Sequence, residues 1–259
     1  MFLDQLLRQV PGPRGSGLRT GELLYEGKAK RVLDAGNGLV VLEFKDEVTA
    51  FDGKRRDTAP GKGELAARLS ARMFELLEEH GVPTHYVCYM GGSRLLARRH
   101  EVIPLEVIVR NYAYGSLLRR MPLLKPMERL FRPLVELHLK DDARGDPLVL
   151  PEDAVEAGLL SWRELWDIQS LALRVSSVLE MFWRRRGLRL VDLKIEVARS
   201  ATGFVVVDEV TGDTMRLVDS GGRHLDKEVY RRGGGVEALL EAYRELARLA
   251  GEPERRCTG

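Results

Sequence analysis

Residues 190–210, LVDLKIEVARSATGFVVVDEV, contain the pattern that most restricts how this chain can fold. Two runs rich in Val, Ile and Leu flank the turn residues Ser-Ala-Thr-Gly, which predicts a β-hairpin. Successive side chains of a strand point to opposite faces, so the first run has one apolar face and one charged face. The apolar face carries Val191, Leu193, Ile195 and Val197, which we expect in the core. The charged face carries Asp192, Lys194 and Glu196.

The charged face of this hairpin predicts a site for a metal and a phosphate. If the turn is centred on Ala201, Asp208 lies opposite Lys194 and near Glu196, so two carboxylates and an ammonium group come together. Carboxylate oxygens suit Mg²⁺, which proteins usually share with substrate phosphates. A solvated sheet face is the alternative, because alternating charge is common on such faces. The apolar run Phe-Val-Val-Val directly before Asp208 weakens that alternative.

The bulk composition argues against some classes of protein. A chain of 259 residues with 41 Lys and Arg against 39 acidic residues has a net charge of only +2. A dedicated nucleic-acid binder usually shows a strong basic excess, but a local positive cleft for a phosphorylated small molecule stays open. Cys88 and Cys257 predict neither a metal site nor a disulfide, and the cytoplasm is the expected location. No apolar run approaches the roughly 20 residues that span a bilayer, so no membrane partner is expected.

Secondary-structure patterns predict a strand-rich first part and a mixed second part, which is typical of an α+β fold. Strands are expected within residues 23–44, 84–90, 93–99 and 105–111, besides the hairpin. Helices are expected over residues 1–10, 61–83, 161–186 and 236–250. Ser161 and Glu164 form a capping box at the start of the third. The segment from residue 115 to 151 contains prolines at 122, 126, 133 and 147 and is expected to be irregular.

The motif YEGKAKRVL, residues 25–33, is a second candidate for phosphate binding. A glycine and two lysines between strands can cover phosphates with backbone N–H groups and ammonium charge. The motif lacks the Gly-Lys-Ser/Thr of a P-loop, and so does APGKGE, where Gly63 follows Lys62. An ordinary β-turn is the alternative.

A third candidate is the segment PLEVIVRNYAYGS, residues 104–116. Glu106, Ile108 and Arg110 share one face of a predicted strand. Arg110 and Ser116 could bind a phosphate through charge and a hydroxyl group. A structural Glu–Arg pair is the alternative for this segment.

Histidines do not predict a metal site, because none of the five lies at metal-ligand spacing from another.

These motifs occur together, and the chain that contains them in this order resembles the SAICAR synthetase (phosphoribosylaminoimidazole-succinocarboxamide synthase) family. The matching pieces extend from residue 23 to about 235: LLYEGKAKRVL, TAFDGKRRDTAPGKGE, GVPTHYV, PLEVIVRNYAYGSLLRR, LHLKDDARGDPLV, LVDLKIEVA, VVVDEVTGDTMRLVD and LDKEVYRRGGG. Some positions depart from the family pattern. Thr49 stands where Ser is common, Val218 stands where Trp is usual, and residues 1–20 precede the family's start.

The resemblance implies an ATP-dependent ligase of purine biosynthesis. ATP, Mg²⁺, carboxyaminoimidazole ribonucleotide (CAIR) and L-aspartate would give SAICAR, ADP and phosphate through an acyl phosphate. The implied fold is α+β, with two subdomains around a nucleotide cleft and a kinase-like or ATP-grasp-like shape. The expected division is an extension over residues 1–20, a nucleotide-binding subdomain over 21–105, and a metal- and substrate-binding subdomain over 106–259. The implied partners are small molecules, and a homo-oligomer is left open.

The same resemblance implies a role for each matched residue. The ATP ligands would be Gly27, Lys28 and Lys30, together with Glu196 and Asp208, which would also hold Mg²⁺. The catalytic residues would be Lys194 and Asp192. The ribonucleotide would be bound by Glu106, Arg110, Ser116 and Arg216. The rest of the substrate pocket would be lined by Asp52, Asp192 and Lys227. The loop LKDDARGD, residues 139–146, would close over aspartate.

Two other functions compete with this one. A kinase-like phosphotransferase would explain the lysines and acids, but not Arg110 with Ser116 or the segment LKDDARGDP. A nucleotide- or RNA-binding module would conflict with the near-neutral charge and with two acids on one strand face.

Overall fold

The computed structural model describes residues 21–50 and 55–258. The helix predicted over residues 1–10 and the substrate residue Asp52 lie outside those ranges. The first part of the chain contains strands β1 (Leu23–Glu26), β2 (Lys30–Gly36), β3 (Leu39–Phe44), β4 (Glu47–Ala50) and β5 (Arg55–Thr58), helix α1 (Lys62–Glu79), and strands β6 (Tyr86–Gly91) and β7 (Arg94–Arg98). Strands β1, β2, β3, β7 and β6 form an antiparallel sheet in that order, while β4 and β5 pair separately.

The second part of the chain forms a larger sheet. Its elements are β8 (Glu101–Tyr112), α2 (Ser116–Arg120), β9 (Arg129–Leu139), β10 (Leu148–Val149), α3 (Pro151–Glu156), α4 (Trp162–Arg184), β11 (Arg189–Ser200), β12 (Gly203–Val207), β13 (Met215–Val218), α5 (Glu228–Arg231) and α6 (Gly235–Ala250). A 3₁₀ turn covers Asp142–Arg144. The sheet order is β10-β9-β8-β11-β12. Strand β12 pairs with residues 196–200 of β11, and β13 pairs with residues 189–193 of the same strand. Both sheets are antiparallel and helices pack against them, which confirms the α+β prediction.

The hairpin β11–β12 has the predicted faces, but its register differs by one residue from the prediction. Ala201 and Thr202 form a two-residue turn, so Glu196 pairs with Val207. Continuing that register would place Asp208 opposite Ile195 and not opposite Lys194. Asp208 instead leaves the strand with a positive φ of 72°. The four predicted core residues are each at most 1% exposed: Val191, Leu193, Ile195 and Val197.

Strand β9 corrects the prediction that the segment from residue 115 to 151 is irregular. It contains 11 residues and pairs with β8 along most of its length. Pro133 conceals it in the sequence, because proline cannot donate a ladder hydrogen bond. Here Pro133 lies at a register irregularity, between the pairs Arg110↔Leu134 and Tyr112↔Arg129. The proline is therefore tolerated within a long strand.

Three long helices cover the sheets, as predicted. Helix α4 begins with the predicted capping box, in which Ser161 and Glu164 bond to each other's backbone N–H groups. Helices α1 and α6 pack against each other and α4 packs on β11. The largest hydrophobic cluster contains Phe74 from α1, Leu179 from α4 and Leu246 from α6. It continues through residues of both sheets, so the two parts share one core.

The two cysteines form a disulfide, which corrects the prediction that they are unpaired. Cys88 on β6 and Cys257 in the C-terminal tail are 169 positions apart in the sequence. After α6 the tail runs beside β6. There the Tyr89 N–H donates to the Arg255 carbonyl, and the Cys257 N–H donates to the Tyr89 carbonyl. Only this tertiary path brings the sulfur atoms together, so the spacing of the cysteines could not predict the bond.

Among the residues that the structure describes, no helix is long and apolar enough to cross a membrane. A cytoplasmic location remains a prediction.

Candidate active site

The charged residues of β8 and β11 meet on one face of the larger sheet. The antiparallel register places Arg110 opposite Asp192, Ile108 opposite Lys194, and Glu106 opposite Glu196. The opposite face of both strands is buried in the core, which fixes which side chains point outward. Two motifs that are about 85 residues apart in the sequence therefore form one polar surface.

At one end of this surface lies a group of five residues that we call the carboxylate cluster: Lys30, Glu106, Lys194, Glu196 and Asp208. The Lys194 Nζ lies 2.5 Å from Glu106 Oε1 and 4.0 Å from Glu196 Oε1. Burial opposes the charged form of Lys194, but Glu106, Asp208 and Glu196 outweigh burial and raise its pKa above the ordinary value. Lys194 is therefore a cation throughout the neutral range.

Glu196 and Asp208 are close enough to influence each other's charge. Burial, followed by the Asp208 carboxylate, raises the pKa of Glu196. Burial also disfavours the ionised form of Asp208, but Lys30 and Lys194 outweigh it and lower that pKa. Lys30 Nζ lies 3.0 Å from Asp208 Oδ1 and 2.7 Å from Glu209 Oε1. Glu209 belongs to the site although the sequence analysis assigned it no role.

The donor chemistry of this cluster suits Mg²⁺ only if the substrate supplies further ligands. Within residues 21–50 and 55–258, no three His, Cys, Asp or Glu side chains are grouped as a metal site. Glu196 and Asp208 nevertheless form a pair of carboxylates whose charges repel, and Mg²⁺ commonly binds to one or two carboxylates together with substrate phosphates. The pair fits a metal that arrives with a nucleotide.

At the other end of the surface, buried ion pairs hold two arginines. Asp192 accepts hydrogen bonds from Arg110 (3.1 Å) and from Arg216 (2.7 Å) through one oxygen. Arg110 also donates to Ser116 (2.7 Å) and lies 2.8 Å from a carboxylate oxygen of Glu136. The Arg110 side chain is only 2% exposed, and its Nε has no partner among the described residues. The arginines are therefore fixed in position by their acidic partners.

A cavity of about 170 Å³, which we call the arginine pocket, opens beside these pairs. Its polar lining includes Arg110, Ser116, Asp192, Lys194, Arg216 and Arg231. Five of these six were predicted as site residues. Arg231 was not, although it lies in the matched motif LDKEVYRRGGG. Three guanidinium groups around one cavity, with a hydroxyl group, are suited to bind a phosphate.

The Gly-Lys-Ala-Lys turn between β1 and β2 directs its two lysines to different partners. Gly27 N–H bonds to the Lys30 carbonyl, which closes the turn. Lys28 is half-exposed and pairs with Asp142 at 2.7 Å, whereas Lys30 is 7% exposed and reaches the carboxylate cluster. The turn therefore contacts both the carboxylate cluster and the loop after β9.

Lys227 lies in a buried network that the sequence analysis did not foresee. Its Nζ is 3.8 Å from Asp213, which also binds Lys62 (2.7 Å) and the Tyr243 hydroxyl (2.6 Å). Burial lowers the pKa of Lys227. Asp213 also lines the arginine pocket, so this network links Lys227 to the other predicted substrate residues. Lys62, from APGKGE, thus contributes an ion pair to the site.

A second, larger cavity of about 550 Å³ does not coincide with this surface. It is lined by Arg31, Glu43, Lys45, Glu47 and other residues of the first part of the chain, and by none of the predicted site residues that the structure describes. The smaller arginine pocket is therefore the better candidate for substrate binding.

The chain is similar in sequence to known enzymes over most of its length. A family model described as SAICAR synthetase matches residues 23–248. A phosphoribosylaminoimidazole-succinocarboxamide synthase of Caldivirga maquilingensis is 51% identical over 235 residues, which cover 90% of this chain and 97% of the relative. One of Methanocaldococcus jannaschii is 42% identical over 251 residues, which cover 96% and 98%.

The fold is similar to solved structures with the same description. A SAICAR synthetase in complex with ADP superposes with a TM-score of 0.84 at 40% identity, over 90% of this chain and 100% of that one. SAICAR synthetase from Pyrococcus horikoshii gives a TM-score of 0.82 at 39% identity, over 87% and 100%. The chain therefore belongs to the SAICAR synthetase family.

Proposed function

We propose that this chain, an ATP-dependent ligase of purine biosynthesis, joins L-aspartate to CAIR through an acyl phosphate. The single observation that supports this most is the arrangement of one sheet face. A pocket with three arginines lies beside a pair of carboxylates, and Lys194 belongs to both. Such a face suits a phosphorylated substrate at one end and a metal–nucleotide at the other.

The nucleotide is assigned to the carboxylate cluster and to the Gly-Lys-Ala-Lys turn between β1 and β2. Gly27, Lys28 and Lys30 would contact ATP phosphates through backbone N–H and ammonium groups. Glu196 and Asp208 would hold Mg²⁺, which would neutralise charge that develops on the transferring phosphate. The proposed cleft lies between a subdomain of residues 21–105 and one of residues 106–259. The proposed partners are the small molecules ATP, CAIR and L-aspartate.

The ribonucleotide is assigned to the arginine pocket. Arg110, Ser116 and Arg216 would bind its phosphate, with Arg231 added from the geometry. Glu106 would contact the rest of the ribonucleotide. Asp192 holds two of the guanidinium groups in position and would line the substrate pocket with Asp52 and Lys227.

The proposed reaction has two steps with balanced atoms. A CAIR carboxylate oxygen attacks the γ-phosphorus of ATP, so the bond to ADP breaks and an acyl phosphate forms. The aspartate amine then attacks the acyl carbon, phosphate leaves, and the nitrogen loses a proton. Lys194 would stabilise the charge on the phosphate as a fixed cation, because its raised pKa makes it unsuitable as a general base.

The reaction is tested by measuring ADP release with CAIR present, with and without L-aspartate. Release that depends on both substrates supports the proposal. Release without aspartate would favour a kinase-like phosphotransferase, and no release would favour a binding module.

The metal assignment predicts that Glu196→Gln raises the Mg²⁺ concentration for half-maximal rate about tenfold, because ligand charge tunes metal affinity over decades. Folding should change little, since the substitution also removes repulsion from Asp208. Asp208→Asn should show the same kinetic direction. The exposed Glu237 on α6 provides a matched control, Glu237→Gln, with unchanged Mg²⁺ dependence. An unchanged Mg²⁺ requirement in Glu196→Gln would contradict the assignment.

The phosphate assignment predicts that Arg216→Lys raises KM for CAIR about tenfold, because a guanidinium binds phosphate through a fork and an ammonium cannot. KM for ATP and for aspartate should change less. Arg110→Lys should raise KM for CAIR and also lower stability, since one ammonium group cannot keep the separate buried contacts that the guanidinium makes with Glu136 and Asp192. Steady-state kinetics with each substrate varied provides the measurement. An equal rise of all three constants in Arg216→Lys would indicate a structural arginine.

A further inference from the structure

His138 on β9 lies between two hydrogen-bond acceptors. Its Nδ1 is 2.8 Å from the carbonyl oxygen of Asp146, and its Nε2 is 3.4 Å from Glu136 Oε2. A carbonyl oxygen and an ionised carboxylate can only accept, so both ring nitrogens must donate to satisfy both contacts. Neutral imidazole has a single N–H group and would direct a lone pair at one acceptor. This geometry therefore favours the doubly protonated imidazolium.

The two acceptors belong to different parts of the site. Glu136 is the partner of Arg110 and also pairs with Arg120 from α2. Asp146 closes the loop of residues 140–147, since its N–H bonds to the Asp141 carbonyl and its carboxylate accepts from Asp141 N–H. The same loop carries Lys140, which binds Glu196 (2.7 Å), and Asp142, which binds Lys28 (2.7 Å). His138 is thus the junction between the loop and the arginine pocket.

We propose that His138, held as an imidazolium, is a positioning residue that ties the loop of residues 140–147 to the Arg110–Glu136 pair. The kinetic consequence is that CAIR binds more tightly when this link is intact. That consequence rests on the proposed function. Glu136 then keeps its full set of donors and holds Arg110 against the pocket, while the loop stays docked.

The surroundings of His138 set the direction of its titration. Burial lowers its pKa, but the Glu136 carboxylate and the Asp146 carbonyl outweigh burial and raise it, while the Arg110 charge opposes them. The charged groups that act on the ring are Glu136 on β9 and Arg110 on β8, and its cross-strand neighbours are Glu106 on β8 and the apolar Leu148 on β10. Because the folded pKa is raised, the link is complete below the unfolded value of about 6.5 and is lost as pH rises through the folded value.

Two measurements test the link, one of them independent of activity. The first is NMR titration of the five histidine Cε1–H signals, with the signal missing in His138→Gln assigned to His138. A pKa for His138 above about 6.5 supports the proposal, and a value at or below it overturns the proposal.

The second measurement is KM for CAIR from pH 6 to 9 in wild type, His138→Gln and the control His80→Gln. His80 binds one backbone carbonyl at the end of α1 and does not line the arginine pocket. At low pH His138→Gln should have a KM about tenfold above wild type, as expected for a charged hydrogen bond, and the two should converge at high pH. A constant ratio across pH, or lower stability without a change in this profile, would overturn the positioning role. Absence of aspartate-dependent ADP release in every protein would instead reject the proposed function and leave the NMR result standing.

Discussion

Lys194→Met is expected to reduce kcat on the order of 10²-fold while the protein stays folded. Methionine roughly preserves the length of the side chain and removes its charge. Charge that accumulates on the transferring phosphate would then lack a fixed cation, and loss of one preorganised donor commonly has an effect of this size. Lys194→Arg should retain part of the activity because it keeps the charge.

The contact between Lys194 and Glu106 provides a strict control for this prediction. If Lys194 only neutralised Glu106, then Lys194→Met would leave a poorly exposed carboxylate without its partner. The double variant Glu106→Gln/Lys194→Met removes that carboxylate charge as well. A catalytic lysine predicts that, at saturating CAIR, the double variant remains about as slow as Lys194→Met and far slower than Glu106→Gln alone. Recovery of turnover in the double variant, measured with the thermal midpoint on the same preparation, would end the catalytic interpretation.

The two faces of strand β11 could be predicted from the sequence because side-chain alternation is a local property of strands. The partner of β11 could not. The contact between Asp192 and Arg110 depends on the pairing of two segments that are about 80 residues apart in the sequence. Several registers of that pairing would satisfy the same local pattern. Recognition of the family placed both residues in one pocket without giving their contacts.

Asp208 lies beside the residues it was predicted to join, although the predicted register is wrong. The predicted turn geometry was wrong by one residue, and in a regular strand this would move a side chain to the other face. Asp208 reaches Lys30 because its backbone leaves the strand with a positive φ. Aspartate tolerates that conformation better than most residues, but the sequence gives no sign of it.

Residues of the candidate site that the motifs did not single out are joined to it by charged contacts between distant parts of the sequence. Glu136 and His138 lie on β9, whose proline concealed the strand. Lys62 reaches Asp213 from the first turn of α1, and the two are 151 positions apart. Lys62, His138 and Arg231 each lie in a matched segment, but the segments gave no sign of the contacts that these side chains make.

Replacing both cysteines with serine is expected to lower the free energy of unfolding by about 2–5 kcal/mol. The bond closes a loop of 169 positions between Cys88 and Cys257. In the chain-entropy account, a cross-link restricts the unfolded chain more strongly as the loop becomes longer, which places this bond near the upper end of the range. Turnover at 25 °C should not change, because neither cysteine lines the arginine pocket. Denaturant unfolding of wild type, with and without reductant, and of Cys88→Ser/Cys257→Ser provides the measurement.

The structure also predicts where this loss arises. The tail has anchors besides the disulfide, because the N–H groups of Glu254 and Arg255 donate to Glu75 at 2.8 Å and 2.9 Å. Since the cross-link acts mainly on the unfolded state, these amide protons should remain protected from exchange in the double variant under native conditions. Reductant should lower the stability of wild type to that of the double variant and leave the double variant unchanged. Rapid exchange of the tail with unchanged global stability would show that the disulfide acts only locally, as a clamp on the C-terminus.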